Sequence, residues 1–129
     1  MSLKEKLRIL VVDDTATSRG LITNALDQMG IKNYGTANDG ADAMDTLNQT
    51  AFHLVISDYN MPNMDGLTLL QNMRAHPKAQ RTGFIKITGT KDPGVISKGQ
   101  ELGMNNYIEK PITLGGLKSC IEAVTGPLG

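Results

Sequence analysis

One pattern constrains the fold of this chain more than any other. Short, nearly unbroken apolar runs alternate with longer segments whose apolar residues recur every three or four positions. The runs are Ile9-Leu10-Val11-Val12, Leu54-Val55-Ile56 and Phe84-Ile85-Lys86-Ile87. Strands that are apolar on both faces are covered on both, as in parallel sheets sandwiched between helices. Two weaker runs, Tyr34 to Ala37 and Tyr107-Ile108, suit edge positions. The helical stripes are Ile22, Ala25, Leu26 and Met29; Ala43, Met44 and Leu47; Leu67, Leu70 and Met73; Val95, Gly99 and Leu102; Leu117, Ile121 and Val124. Gly30, Gly103 and the Asp39-Gly40 pair punctuate these elements in the way helix stops and turns require. The expected class is α/β: five βα units, wound by right-handed crossovers into an open, doubly wound, five-stranded parallel sheet.

Length and composition narrow the function. The 129 residues fit one domain, expected to span 1–129, with no room for a second output domain. Basic and acidic residues cancel at 13 each, which leaves no global field to draw the chain to nucleic acid or an anionic membrane and favours a protein partner. Cys120 is the only cysteine, so no internal disulfide forms and a reducing compartment is expected. The apolar run ending at Val12 falls far short of the roughly 20 residues of a membrane span. The expectation is a cytoplasmic protein.

In such a sheet the residues just after the strands converge on one edge, where ligands bind. Asp13 and Asp14 follow the first run, Asp58 the third, Thr88 the fourth and Lys110 the fifth. Three carboxylates in one crevice repel one another and need a counter-charge. Mg²⁺ supplies it, because it takes a few carboxylate ligands, keeps several waters and still admits a phosphoryl oxygen. Asp14 and Asp58 are assigned as direct ligands, and Asp13 as a ligand acting mainly through water. Lys110 can neutralise a phosphoryl oxygen as a point charge, and the Thr88 hydroxyl can donate to another.

Each residue also has a simpler explanation. Asp13-Asp14 could be an acidic pair at a helix N-terminus, Asp58 a turn residue, Thr88 a strand-end hydroxyl and Lys110 a solvated charge. Five such residues at the ends of four different strands, two of them paired at one, would be a large coincidence. His53 and His76 stand alone without metal-ligand spacing, and the methionines read as core filler.

Four segments carry a family resemblance: Val11-Val12-Asp13-Asp14; Ser57-Asp58-Tyr59-Asn60-Met61-Pro62-Asn63-Met64-Asp65-Gly66; Ile87-Thr88; and Glu109-Lys110-Pro111. Together they resemble the signature of response-regulator receiver domains, over nearly the whole chain. Tyr107, three residues before Lys110, and the short length make it most similar to stand-alone CheY-type chemotaxis regulators. The resemblance implies the flavodoxin-like, CheY-like strand order 2-1-3-4-5. It implies that Asp58 is the phosphoacceptor, taking a phosphoryl group from a histidine kinase of the CheA type, with Asp13, Asp14, Asp58 and the backbone carbonyl of Asn60 around Mg²⁺. Thr88, Lys110 and Tyr107 match the residues that read the phosphoryl group, and the Lys110-Pro111 bond matches a cis peptide. A flagellar motor switch protein as partner, a phosphatase, and a monomeric state are implied in the same way.

Lys86 departs from the expected pattern, because it shares a face with Thr88, where a buried ammonium needs a partner or a path to water. Thr90 occupies a position that in the family influences water access to the acyl phosphate. Gly94, Gly99, Gly115 and Gly116 fall in or near the last two helices and are expected to soften them. Besides a motor-binding regulator, the sequence admits a phosphate sink or phosphorelay intermediate. It also admits a phosphatase-like enzyme with an Asp nucleophile, although such enzymes usually carry a second Asp where this chain has Asn60. The reading is therefore a regulator that is phosphorylated at Asp58, not an enzyme in the strict sense.

Overall fold

The structure is a computed structural model that describes residues 3–58, 64–89, 93–110 and 112–128. Among these, five strands occur: β1 (Ile9–Val12), β2 (Tyr34–Ala37), β3 (Leu54–Asp58), β4 (Gly83–Thr88) and β5 (Asn106–Glu109). The helices are α1 (Leu3–Lys6), α2 (Ala16–Met29), α3 (Gly40–Gln49), α4 (Gly66–Ala75), α5 (Pro93–Glu101) and α6 (Leu114–Thr125). The strands form one parallel sheet in the order β2-β1-β3-β4-β5, so both weak runs lie at edges, as expected. The single turn α1 was not foreseen; it precedes β1 and leaves the sheet unchanged.

The sheet separates two apolar layers, and the pleat assigns each strand residue to one of them. Ile9, Val11, Leu54, Ile56, Ile85 and Ile87 face Ile22, Ala25 and Leu26 of α2 and Leu117, Cys120 and Ile121 of α6. Leu10, Val12, Val55 and Phe84 face Ala43 and Leu47 of α3, Leu69, Leu70 and Met73 of α4, and Ile96 of α5. Each fully buried aliphatic or aromatic side chain contributes about 1.5–3 kcal/mol of transfer free energy, which makes this double layer the main support of the fold.

The element ends follow their residues. Gly30 (φ 86°) and Gly103 (φ 86°) adopt the left-handed conformation that closes α2 and α5, with Ile31 N–H donating to the Leu26 carbonyl and Met104 N–H to that of Gly99. Asp39-Gly40 marks a start and not a stop: the Asp39 carboxylate accepts from Asp42 N–H at 2.8 Å and caps α3. Asp65 caps α4 in the same way through Thr68 N–H. Arg74, in the last turn of α4, clamps two neighbouring connections. Its guanidinium donates to the carbonyls of Thr82 (2.8 Å) and Gln80 (3.3 Å) ahead of β4, and of Leu102 (3.2 Å) and Gly103 (2.8 Å) after α5.

Candidate functional site

Because the strands are parallel, their carboxyl ends share one edge of the molecule, and the central neighbours β1 and β3 send their chains to opposite faces there. Asp13 follows β1, Asp58 closes β3, Thr88 closes β4 and Lys110 follows β5. Asp13, Asp14 and Asp58 each bring a carboxylate oxygen to within 4.8 Å of the others. Lys110 Nζ stands 3.4 Å from Asp58 Oδ2. The backbone N–H of Lys110 donates to the Thr88 carbonyl at 2.8 Å, which ties the ends of β4 and β5 together beneath that ion pair.

Asp13 is fully buried. Its Oδ1 accepts from Thr15 N–H at 2.9 Å, while Oδ2 is buried without a hydrogen-bond partner among the described residues. Burial raises its pKa above the ordinary carboxyl value and the Asp58 carboxylate pushes the same way, against the Thr15 N–H, the Ser18 hydroxyl and Lys110. An orphaned, desolvated carboxylate oxygen beside two further carboxylates is the donor set that suits a hard divalent cation. The helix-cap explanation for the acidic pair does not hold, since the N-cap of α2 is Thr15 and its side chain makes no capping bond. Asp14 is exposed at the rim, and Asp58 and Thr88 are buried.

Tyr107 is half-buried on the α3–α5 side of the sheet, paired across β4–β5 with Lys86. Lys86 is itself buried in β4. The backbone carbonyl of Asn60, the Lys110-Pro111 peptide bond and Thr90 lie outside the described residues.

One supporting residue escaped the sequence reading. Arg19 Nη1 donates to the Asp13 carbonyl at 2.7 Å. It sits near the start of α2, and its side chain leans back toward the helix N-terminus and the end of β1, a direction that spacing from Asp13 could have revealed. His53 and His76 have structural roles: their Nδ1 atoms accept the N–H groups of Arg8 and Lys78.

A family model described as the response regulator receiver domain matches residues 9–122. The chain belongs to that family. The receiver is 43% identical over 128 residues to a probable chemotaxis protein CheY of Rhizobium etli, covering 99% of both chains. It is 34% identical over 122 residues to chemotaxis protein CheY-3 of Vibrio cholerae, covering 95% of this chain and 94% of the relative. Among solved structures it resembles V. cholerae CheY4, with a TM-score of 0.86 at 26% identity, over 92% of this chain and 98% of that one. It is thus a CheY-like receiver of two-component signalling, a regulator and not a classical enzyme. Among the described residues no helix is long and apolar enough to cross a membrane.

Proposed function

We propose that this receiver accepts a phosphoryl group on Asp58 from a histidine kinase and, once phosphorylated, changes its affinity for a protein of the chemotaxis apparatus, a flagellar motor switch protein. The observation that carries the reading is the carboxylate cluster with its counter-charge: three carboxylates within 4.8 Å and Lys110 held at 3.4 Å from Asp58. The relatives named as chemotaxis proteins, matched over nearly their whole length, support the choice of pathway. A cytoplasmic location follows from that role, and a phosphatase that shortens the signal fits the same scheme.

In the proposed reaction a carboxylate oxygen of Asp58 attacks the phosphorus of a phosphohistidine, the P–N bond breaks, and the imidazole leaves with a proton. An acyl phosphate remains. Asp13, Asp14 and Asp58, with the carbonyl of Asn60, would hold Mg²⁺, which when bound supplies positive charge to the phosphoryl oxygens in flight. Lys110 pairs with a phosphoryl oxygen from the β5 side, and the Thr88 hydroxyl donates to another. The site positions and neutralises, and Asp58 supplies the nucleophile. Tyr107, on the same face as Thr88, follows it inward and carries the change to the surface formed by α5, β5 and α6.

Radiolabelled acetyl phosphate should label the wild type at Asp58 with Mg²⁺ and not in chelator, and Asp58→Asn should not label. Equal labelling of that variant would overturn the assignment. Loading with beryllofluoride and Mg²⁺ should tighten binding to a motor switch protein; unchanged affinity would remove the chemotactic part of the reading.

A further inference from the structure

Lys86 is 1% exposed, on the sheet face that packs Leu10, Val12, Val55 and Phe84 against α3, α4 and α5. Burying an ammonium there is costly, and a methionine of similar length would fill the volume without that cost. The demands of packing therefore do not account for a lysine. The register and the pleat place it more closely. Lys86 lies opposite Ser57 of β3 on one side and Tyr107 of β5 on the other, and it shares its face with Thr88 two residues on. Toward the amino end of the strand this face is apolar and fully buried, with Phe84 opposite Val55. Toward the carboxyl end the next residue of this face is Thr88, and the carboxylate cluster lies past the ends of β1 and β3. A lysine stem of roughly 6 Å matches the rise of two strand residues, roughly 6.6 Å. An extended side chain rooted at Lys86 is therefore long enough to bring its ammonium to the level of Thr88.

The charge of the site gives that ammonium a use. Phosphorylation replaces the single negative charge of Asp58 with about two. With Asp13 and Asp14 also ionised, a divalent cation and Lys110 together leave a residual negative charge, which a second ammonium would cancel.

We infer that Lys86 is a positioning residue of the phosphorylated state: a second fixed cation, rooted in β4, whose charge favours the phosphorylated site over the metal-loaded but unphosphorylated one. This rests on Asp58 being the phosphoacceptor. Because the same charge repels Mg²⁺ and attracts the phosphoryl group, its removal acts on the two with opposite sign. A residue that only supported the packing would weaken both.

The test is calorimetric titration of Mg²⁺, then of beryllofluoride at saturating Mg²⁺, into wild type, Lys86→Met, Lys86→Gln and Lys86→Arg. The neutral variants should bind Mg²⁺ more tightly and beryllofluoride roughly tenfold more weakly. Lys86→Arg should stay close to wild type on both counts. Lys86→Met should also melt at a higher temperature than wild type in chelator, and Lys86→Gln provides the neutral side chain if methionine does not pack. Affinities that move together, or that both stay within about twofold of wild type, would overturn the inference while wild-type labelling at Asp58 still upholds the function. Failure of the wild type to bind beryllofluoride or to label would sink both.

Discussion

Lys110 meets its two neighbours through different groups: its ammonium lies 3.4 Å from Asp58 Oδ2, and its N–H donates to the Thr88 carbonyl at 2.8 Å. One residue thus joins the charge at the end of β3 to the backbone at the end of β4. The side-chain half can be removed without the other, since any non-proline residue at this position keeps the N–H. Lys110→Met should leave the melting temperature in chelator within a few degrees of wild type and weaken beryllofluoride binding roughly tenfold. Titration and melting of the same samples check this, and a collapse of stability with affinity retained would contradict it.

The buried Oδ2 of Asp13, without a hydrogen-bond partner among the described residues, makes a prediction for the metal-free protein. Asp13→Asn removes a carboxyl whose ionisation burial and Asp58 both oppose. In chelator the variant should therefore melt higher than wild type. Adding Mg²⁺ should raise the wild-type melting temperature by mass action and raise that of the variant less. Parallel melts with and without Mg²⁺ measure both effects, and a variant that melts lower in chelator would contradict the crowding of carboxylates.

Arg74 supplies a different kind of stability, because its guanidinium serves carbonyls on either side of β4 and α5. Arg74→Met should cost about 2–3 kcal/mol in urea unfolding, through carbonyls left without a charged donor. Hydrogen exchange should accelerate around 79–84 and 102–105 first. Uniform acceleration across the domain would show that the clamp is not local.

Cys120 packs under β5, its thiol 3.7 Å from the Tyr107 carbonyl, and burial pushes its pKa up to about 11 from an ordinary value of 9.0. At pH 8 its alkylation should be more than about a hundredfold slower than that of an exposed thiol, because the thiolate is scarce and shielded. The sign for stability follows. The unfolded thiol ionises first, so stability present below pH 9.0 is lost as pH rises toward about 11. Cys120→Ser should flatten that part of the profile in pH-dependent melts.

The strands were legible because buried parallel strands write themselves as unbroken apolar runs, and even the edge strand β2 began and ended where its run did, whereas their order came from the family resemblance alone. Asp58, Thr88 and Lys110 could be placed at the carboxyl ends from strand position alone. The division of labour within the acidic pair was harder to read. Neighbours in sequence differ completely in burial here, Asp13 enclosed and Asp14 exposed, because Asp13 is still tied to the sheet by its N–H bond to the Ala37 carbonyl and Asp14 lies one residue beyond. Arg19 stayed hidden for a related reason: it serves Asp13 from a helix whose rotation about its axis the apolar stripe fixes only coarsely. The Asp39-Gly40 pair fits a turn and a helix start equally well in sequence, and only the bond to Asp42 N–H decides.

The two edge strands, β2 and β5, have four residues each. A row that short offers an incoming strand few unpaired backbone groups, so extension of the sheet by another chain gains little. Self-association of this molecule at high concentration should therefore proceed through helix faces and respond to surface substitutions there, without the cross-β signature of stacked strands.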